Sequence, residues 1–183
     1  NGARLNVGLQ GVAIAERALQ QARGFARERV QGKPASGPAS AGASIIHHPD
    51  VRRMLLQLRA DTEATRALVY YVAGALDRAR HHPDAAERHR QQQRADLLIP
   101  VAKAWATETG FACTATNIQI HGGMGYIEET GAAQHLRDAR IALIYEGTNG
   151  IQANDLLGRK LVRDNGAALC ALVDEMRALA AEL

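Results

Sequence analysis

The sequence lacks the features that are typical of membrane proteins, zinc proteins and disulfide-rich proteins. Its 183 residues include seven aromatic residues and two cysteines, and no run of 18 apolar residues occurs. The absence of such a run excludes a membrane-spanning helix. Cys113 and Cys170 stand far apart, and no Cys/His cluster has zinc-site spacing, so the sequence predicts neither a metal site nor a disulfide framework. We expect both thiols to be free and buried, in a reducing compartment such as the cytoplasm.

Alanine is the residue that the chain has in excess, at 35 of 183 positions. Alanine is the best helix former, whereas the runs of β-branched and aromatic residues that build strands are absent. The 22 basic and 19 acidic residues give a net charge of +3, and most arginines stand among acids at helical spacing. This pattern is typical of solvated helix faces and disfavours a nucleic-acid-binding surface. The composition therefore predicts an all-α protein, an up-and-down bundle of long helices.

Apolar periodicity predicts three long helices in the first two thirds of the chain. They cover residues 3–30, residues 49–80 and a third stretch through residues 97–115, where Pro100 should introduce a kink. Residues 32–44, rich in Gly, Pro, Ser and Ala, predict a flexible surface linker between the first two helices. The first helix also carries a stripe of small residues that would let a neighbouring helix approach closely: Gly8, Gly11, Ala15, Ala18 and Ala22.

Two glycine-rich segments interrupt the helical pattern further along the chain. Residues 119–131 contain four glycines, and residues 145–150 form a second break. A pair of helices between them would bring both breaks to one end of the bundle. Glu146 is the only acid of the second break, and its apolar flanks would remove water from the carboxylate and raise its pKa toward that of a useful base. A last amphipathic helix is predicted after Gly166.

Three motifs in and around these breaks match a known family in order and spacing. They are Q-x-x-G-G-x-G-Y from Gln119 to Tyr126, R-D-A-R-I from Arg137 to Ile141, and I-Y-E-G-T-N-G-I-Q from Ile144 to Gln152. Together they closely resemble the C-terminal α-helical domain of the FAD-dependent acyl-CoA dehydrogenases, and most closely the larger subgroup that includes the methylthiopropanoyl-CoA dehydrogenases. The resemblance implies one domain over residues 1–161 and, in residues 162–183, a helix that leads to a further region.

The resemblance implies a reaction and a catalytic base. In this family a carboxylate removes the α-proton of an acyl-CoA thioester while the β-hydrogen leaves as hydride to the flavin, and Glu146 occupies the position of that carboxylate. The chain would then be the C-terminal domain of a longer enzyme, inactive without the family's other two domains. Arg137 and Asp138 are adjacent in the second motif, and we expect them to form a local ion pair and cap rather than to bind a ligand.

The resemblance also implies binding residues for FAD and for the substrate. The flavin of a neighbouring subunit would contact Arg29, Gln119, Gly122 and Gly123. The flavin beside Glu146 would contact Thr148 and Asn149. Asn1 and Arg4 match positions near the CoA thioester, and Gly147 would line the substrate carbonyl. Because the flavin sites are shared, the resemblance implies a homo-oligomer, a dimer or tetramer. Electron-transfer flavoprotein or a similar acceptor would be its redox partner.

Two other functions stay open at this point. A family-like scaffold that binds flavin or DNA without dehydrogenating a substrate is favoured by the basic isoelectric point near 9.1, whereas the intact Tyr145–Thr148 run favours the enzyme. An acyl-CoA oxidase would use the same base with oxygen as its electron acceptor. The sequence does not distinguish an oxidase from a dehydrogenase, since solvent access to the flavin decides between them.

Overall fold

A computed structural model describes residues 2–35 and 43–182, which are helical almost throughout. Three helices are long: α1 (Gly2–Glu28), α2 (Pro49–His81) and α3 (Ala85–His121). Four shorter helices follow: α4 (Gly123–Tyr126), α5 (Ala132–Ala142), α6 (Asn149–Asp155) and α7 (Ala167–Glu182). Within the described ranges there is no strand, and the all-α prediction is confirmed. No helix in these ranges has the length and apolarity that crossing a membrane requires.

The three long helices pack against one another and enclose the core. One cluster of buried side chains, including Leu5, Val69 and Ile99, joins all three helices, and a second cluster around Leu58 and Ile120 extends the core further along the bundle. The 27 residues of α1 span about 40 Å at 1.5 Å per residue, so its two ends lie far apart. The short helix α5 packs on α1 and α3, and α6 packs on α3.

Helices α1 and α3 approach each other closely where both carry glycine. All members of the predicted small-residue stripe on α1 are buried. A Cβ atom at Gly11 would lie 2.2 Å from the carbonyl oxygen of Ala106, and one at Gly110 would lie 2.6 Å from the carbonyl oxygen of Gly11. Each glycine therefore makes room for the backbone of the other helix, and the predicted close approach is confirmed.

The helix boundaries follow local sequence signals. Pro49 lies in the first turn of α2. Proline is tolerated there because a backbone N–H in the first turn has no acceptor within the helix. Asp84 caps α3, since its carboxylate accepts a hydrogen bond from the N–H of Ala86 at 3.0 Å. The 37 residues of α3 continue through the buried Pro100 as one helix. A kink at Pro100 stays a prediction.

The first glycine-rich segment is more helical than its composition predicts. Positive φ angles occur only at Gly122 (60°) and Gly131 (73°) within it, so helical backbone resumes between them as α4 and as a 3₁₀ turn at Glu128–Thr130. A second difference follows α6, where Leu156–Leu161 form a π-helical turn that no sequence signal indicated. Such turns are rare and occur mostly as single-turn insertions at functional sites.

The predicted linker is described only at its two ends, because residues 36–42 lie outside the described residues. At its second end Ser44 forms an isolated antiparallel bridge with Val30. The N–H of Ile45 also donates to the carbonyl oxygen of Arg29 at 2.7 Å. The start of α2 is thereby held beside the end of α1. The flexibility of the linker itself stays a prediction.

Cys113 is buried as expected, but Cys170 is exposed, so the expectation of two buried thiols is wrong for Cys170. Helix α7 contacts the bundle along a narrow line, and Leu172 is the single buried residue in its described part. Most of its predicted apolar face is therefore open, and Cys170 lies on that open side. Burial raises the pKa of the Cys113 thiol to about 11, and the charge of Asp61 acts in the same direction.

Candidate active site

The residues singled out in the sequence fall into two groups that lie far apart. Arg4 is in the first turn of α1 and Arg29 directly follows its last residue. The 25 positions between them correspond to about 38 Å along the helix axis. Arg4 belongs with the loop that carries Glu146, and Arg29 belongs with the first glycine-rich segment. The two groups therefore form two separate sites on this chain.

The expectation that both glycine-rich breaks meet at one end of the bundle is wrong. Gly122 follows the last residue of α3, whereas Asn149 contacts Glu108, about four turns earlier on the same helix. The reason is that a single 11-residue helix, α5, connects the two breaks and runs back along α1 and α3. A single helix carries the chain away from this end of the bundle, whereas a pair of antiparallel helices would have brought it back.

The loop over residues 143–148, called here the Glu146 loop, has a strained backbone. Glu146 has a φ of 55° and Gly147 a φ of 86°. A left-handed conformation costs a non-glycine residue about 1–2 kcal/mol, and it persists only where the surroundings enforce it. Buried Gln152 provides that restraint, because its Nε2 donates to the carbonyl oxygens of Glu146 at 3.2 Å and Gly147 at 3.0 Å. A Cβ atom at position 147 would lie 2.7 Å from the same nitrogen, so the loop requires glycine there.

The Glu146 carboxylate is exposed and unpaired. Among the described residues no group hydrogen-bonds or ion-pairs with it. The neighbouring side chains of Ile144 and Ile151 are 48% and 47% exposed. Tyr145 and Gly147, which flank Glu146 directly, are themselves half-buried and leave the carboxylate exposed, so the expectation that the apolar-flanked loop by itself removes water from it is wrong. A second surface that covered the two isoleucines would remove it.

Asn149 attaches the start of α6 to α3. Its Oδ1 accepts a hydrogen bond from Nζ of Lys103 at 2.9 Å, and its Nδ2 donates to Oε1 of Glu108 at 2.9 Å. The residue before it, Thr148, is the N-cap of α6 and accepts from the N–H of Ile151 at 3.3 Å. Lys103 is fully buried, and this burial lowers its pKa below the usual range, against the opposing charge of Glu108.

Arg4 is held by an ion pair at the other end of α6. Its Nη1 lies 2.6 Å from one oxygen of Asp155, and Nε of Arg159 lies 2.6 Å from the other oxygen. Burial raises the pKa of the Asp155 carboxyl, but the hydrogen bond from Arg4 and the charge of Lys160 outweigh burial and hold the pKa below its usual value. Arg4, Asp155, Arg159 and Lys160, together with Arg163, line a basic cleft of about 440 Å³.

The second group of residues shares one cleft of about 650 Å³, called here the Arg29 cleft. Four of the predicted residues line it: Arg29, Gln119, Gly122 and Gly123. The exposed guanidinium of Arg29 donates to Oε1 of Gln31 at 3.0 Å, and His48 lies beside it with Nε2 at 2.8 Å from the carbonyl oxygen of Gln31. In the described part of the chain no carboxylate lines this cleft. A Cβ atom at Gly122 or Gly123 would meet nothing within 4 Å, so the backbone there is open to a flat group.

Arg137 and Asp138 do not form the expected pair with each other. Arg137 binds both carboxylate oxygens of Glu128, at 3.0 and 2.6 Å, and Asp138 accepts from Nε2 of Gln134 at 2.6 Å. Adjacent residues on a helix point in different directions, whereas residues four positions apart lie on one face. Neither residue caps the start of α5, where Gly131 is the N-cap and the hydroxyl of Thr130 accepts from the N–H of Ala132 at 3.4 Å. Asn1, a predicted substrate contact, lies outside the described residues.

The chain is similar to known proteins over almost its whole length. The family model of the acyl-CoA dehydrogenase C-terminal domain matches residues 1–161, and the chain belongs to this family. It is 52% identical over 181 residues to the 3-methylmercaptopropionyl-CoA dehydrogenase of Ruegeria pomeroyi, which corresponds to 99% of the chain and 31% of that relative. It is 37% identical over 174 residues to a broad-specificity linear acyl-CoA dehydrogenase of Mycobacterium tuberculosis, covering 91% of the chain and 28% of the relative.

The fold of the chain is also similar to that of a solved structure. Butyryl-CoA dehydrogenase from Megasphaera elsdenii matches with a TM-score of 0.69 and 31% identity, over 87% of this chain and 36% of that one. The chain thus spans about a third of the length of the relatives it matches. The helical fold and the predicted resemblance to this family are confirmed.

Sequence reasoning missed three residues that hold the Glu146 loop: Lys103, Gln152 in its role as a clamp, and Asp155. One of them left a signal. Ile99, Lys103, Ala106 and Gly110 follow the spacing of one helix face, and all four are buried. A lysine at an apolar position of a helical pattern is therefore a candidate for a buried polar contact. Asp155 left no comparable signal, because its partner Arg4 lies 151 positions away.

Proposed function

We propose that this chain is the C-terminal domain of an FAD-dependent acyl-CoA dehydrogenase and supplies Glu146 as the base that removes the α-proton of the substrate. The observation that carries the proposal is the clamped left-handed conformation of Glu146, whose exposed carboxylate has no hydrogen-bond or ion-pair partner among the described residues. The family motif supports the same residue. A strained residue with a free carboxylate is expected where a position serves chemistry rather than folding.

The surroundings of Glu146 fit a base that works on a weak carbon acid. A thioester α-proton is removed efficiently only by a base that is close and dry. When the acyl chain and the enzyme's other domains cover Ile144 and Ile151, they exclude water from the carboxylate. The carbonyl of the substrate would lie near Gly147, where the absence of a side chain permits close approach. Arg4 would stand near the CoA thioester, with Asp155 fixing its position.

The Arg29 cleft fits the pyrophosphate and ring system of FAD. It offers an exposed guanidinium, no carboxylate among its described residues, and open backbone at Gly122 and Gly123. When bound, FAD would accept the β-hydrogen as hydride. Thr148, exposed at the start of α6, would contact the flavin beside Glu146. The polar side-chain atoms of Asn149 are already engaged by α3, so its contact would come from the backbone.

The distance between the two sites supports a shared arrangement. Because Arg29 lies about 38 Å from Arg4 along α1, the Arg29 cleft would serve the flavin of a second subunit, and we propose a homo-oligomer. Electron-transfer flavoprotein is the proposed acceptor. The proposed location is the cytoplasm, where free thiols such as Cys113 and Cys170 persist. The substrate to test first is 3-methylmercaptopropionyl-CoA, because the 52% identical relative is named for it.

The test is an anaerobic titration of the full-length protein with a panel of acyl-CoA thioesters, followed by the visible absorption of the flavin. We expect one substrate to bleach the flavin and Glu146→Gln to abolish bleaching while flavin and substrate still bind. Glu182→Gln, at the exposed end of α7, is the matched control and should behave as wild type. Bleaching by Glu146→Gln at the wild-type rate would place the base elsewhere. Rapid peroxide release in air would identify an oxidase.

A further inference from the structure

We propose that Lys103 is a positioning residue for catalysis: its buried ammonium fixes Asn149 and thereby holds the Glu146 loop and α6 against α3. The inference rests on the proposed role of Glu146. In this role Lys103 contacts neither the substrate nor the flavin. Its action passes through Asn149, the first residue of α6, which lies three residues after Glu146.

Lys103 carries its charge in the interior of the bundle. Lys103 is the largest fully buried side chain in the described part of the chain. A buried ammonium is usually paired with a carboxylate, because an uncompensated charge is costly in a medium of low polarity. Within residues 2–35 and 43–182 its Nζ has one hydrogen-bond partner, Oδ1 of Asn149 at 2.9 Å. A leucine or methionine would fill the same space without this cost, so the charge is explained by what it holds.

The two charges beside Asn149 determine the orientation of its amide. Lys103 donates to Oδ1, and Glu108 accepts from Nδ2 at 2.9 Å. The reversed amide would direct its NH₂ group at the ammonium and its oxygen at the carboxylate. Opposite charges about one and a half helical turns apart on α3 thus select one amide orientation. Thr107, between them, adds a contact to Nδ2 at 3.2 Å.

Helix α6 is bound to the rest of the bundle at both of its ends. At its start Asn149 is bound to Lys103 and Glu108, and at its end Asp155 is bound to Arg4 of α1. Gln152, midway along α6, holds the carbonyl oxygens of the Glu146 loop. The loop is therefore attached to α6, and α6 is attached to the bundle through buried Lys103 at its start and buried Asp155 at its end. The charges that face Lys103 are Glu108 on its own helix and Arg4 on α1.

The experiment uses the full-length protein with Lys103→Met, which preserves the length of the side chain and removes its charge. We expect substrate-dependent flavin reduction to slow by about 10- to 100-fold, the usual effect of a small misplacement of a catalytic group, while KM changes less than about threefold. Asn149→Ala should have the same effect, and the double variant should be no slower than either single variant, because both act through one link. Cys113→Ala, a buried change on α3 away from α6, is the control for general loss of packing.

A second readout does not depend on activity. Hydrogen–deuterium exchange of residues 143–152 should become faster in Lys103→Met and Asn149→Ala and stay unchanged in Cys113→Ala. If Lys103→Met does not fold, Asn149→Ala alone decides, since its side chain is only partly buried. Wild-type reduction rates with unchanged exchange, or faster exchange throughout the chain, would overturn the inference. If Glu146→Gln retains flavin reduction, the proposed function fails instead, and the exchange result still tests whether Lys103 holds the loop.

Discussion

Gly11→Ala should strongly destabilise the contact between α1 and α3, although alanine normally favours a helix. A Cβ atom at position 11 would lie 2.2 Å from the carbonyl oxygen and 2.5 Å from the carbonyl carbon of Ala106, and 2.9 Å from the amide nitrogen of Thr107. Ordinary contact begins at 3.4 Å, so the helices would have to separate locally by about 1 Å. All three atoms belong to helical backbone, which cannot turn aside as a side chain does.

The expected change in the free energy of unfolding follows from two opposing contributions. Overpacking of this kind costs about 1–3 kcal/mol, and the gain from replacing a helical glycine is about 0.5–1 kcal/mol. The net loss should be about 0–2.5 kcal/mol in the free energy of unfolding, toward the upper end because the clash is with helical backbone. Gly24→Ala is the matched control in the same helix, because a Cβ atom there would meet nothing within 4 Å. It should stabilise by about 0.5–1 kcal/mol, so one substitution at two positions of α1 should have opposite signs.

The assay is urea and thermal unfolding of the full-length protein, followed by far-ultraviolet circular dichroism at one protein concentration. For a unit of 183 residues each kcal/mol corresponds to about 2–4 °C in Tm, and the shift is smaller where a longer chain unfolds together with it. Gly11→Ala should also reduce activity, because the displaced backbone at Ala106 and Thr107 adjoins the residues that hold Asn149. If Gly11→Ala proved as stable as Gly24→Ala, the close contact between the two helices would be refuted.

Two further predictions concern pH and thiol chemistry. His121 is buried, and its ring stacks on Phe25 with 4.1 Å between centroids. Burial lowers the pKa of His121 below its ordinary value of 6.5, partly opposed by the hydrogen bond to the carbonyl oxygen of Asn117. Below about pH 6.5 the unfolded chain therefore binds a proton that the folded chain does not, and stability should fall with pH down to the lower pKa of the folded state. Denaturant unfolding at about pH 7.5 and pH 5.5 should show a smaller loss for His121→Gln, and an equal loss would contradict this reasoning. Iodoacetamide should modify Cys170 in the native protein and leave Cys113 unmodified, because Cys113 is buried and its thiol pKa is raised to about 11. Peptide mass mapping measures the modification of each cysteine. Equal modification of both would show that the burial of Cys113 is wrong.

The local features of this protein were readable from its residues. The alanine content and the spacing of apolar residues predict long helices, and the stripe containing Gly8 and Gly11 predicts the close approach to a second helix. These features are carried by residues a few positions apart, where helix geometry alone relates one side chain to the next. The motif from Ile144 to Gln152 likewise identifies the family and singles out Glu146, because it is contiguous in the chain.

The arrangement around Glu146 was decided by tertiary structure. Lys103 meets Asn149 across 46 positions, and Arg4 meets Asp155 across 151. Helical periodicity indicates which face of a helix is buried, but it does not indicate which residue of another helix lies opposite. For the same reason the sequence did not reveal that α5 separates the two glycine-rich segments or that Cys170 is exposed. Contacts between distant segments exist only once the helices are packed, so their partners follow from the packing and not from the order of residues.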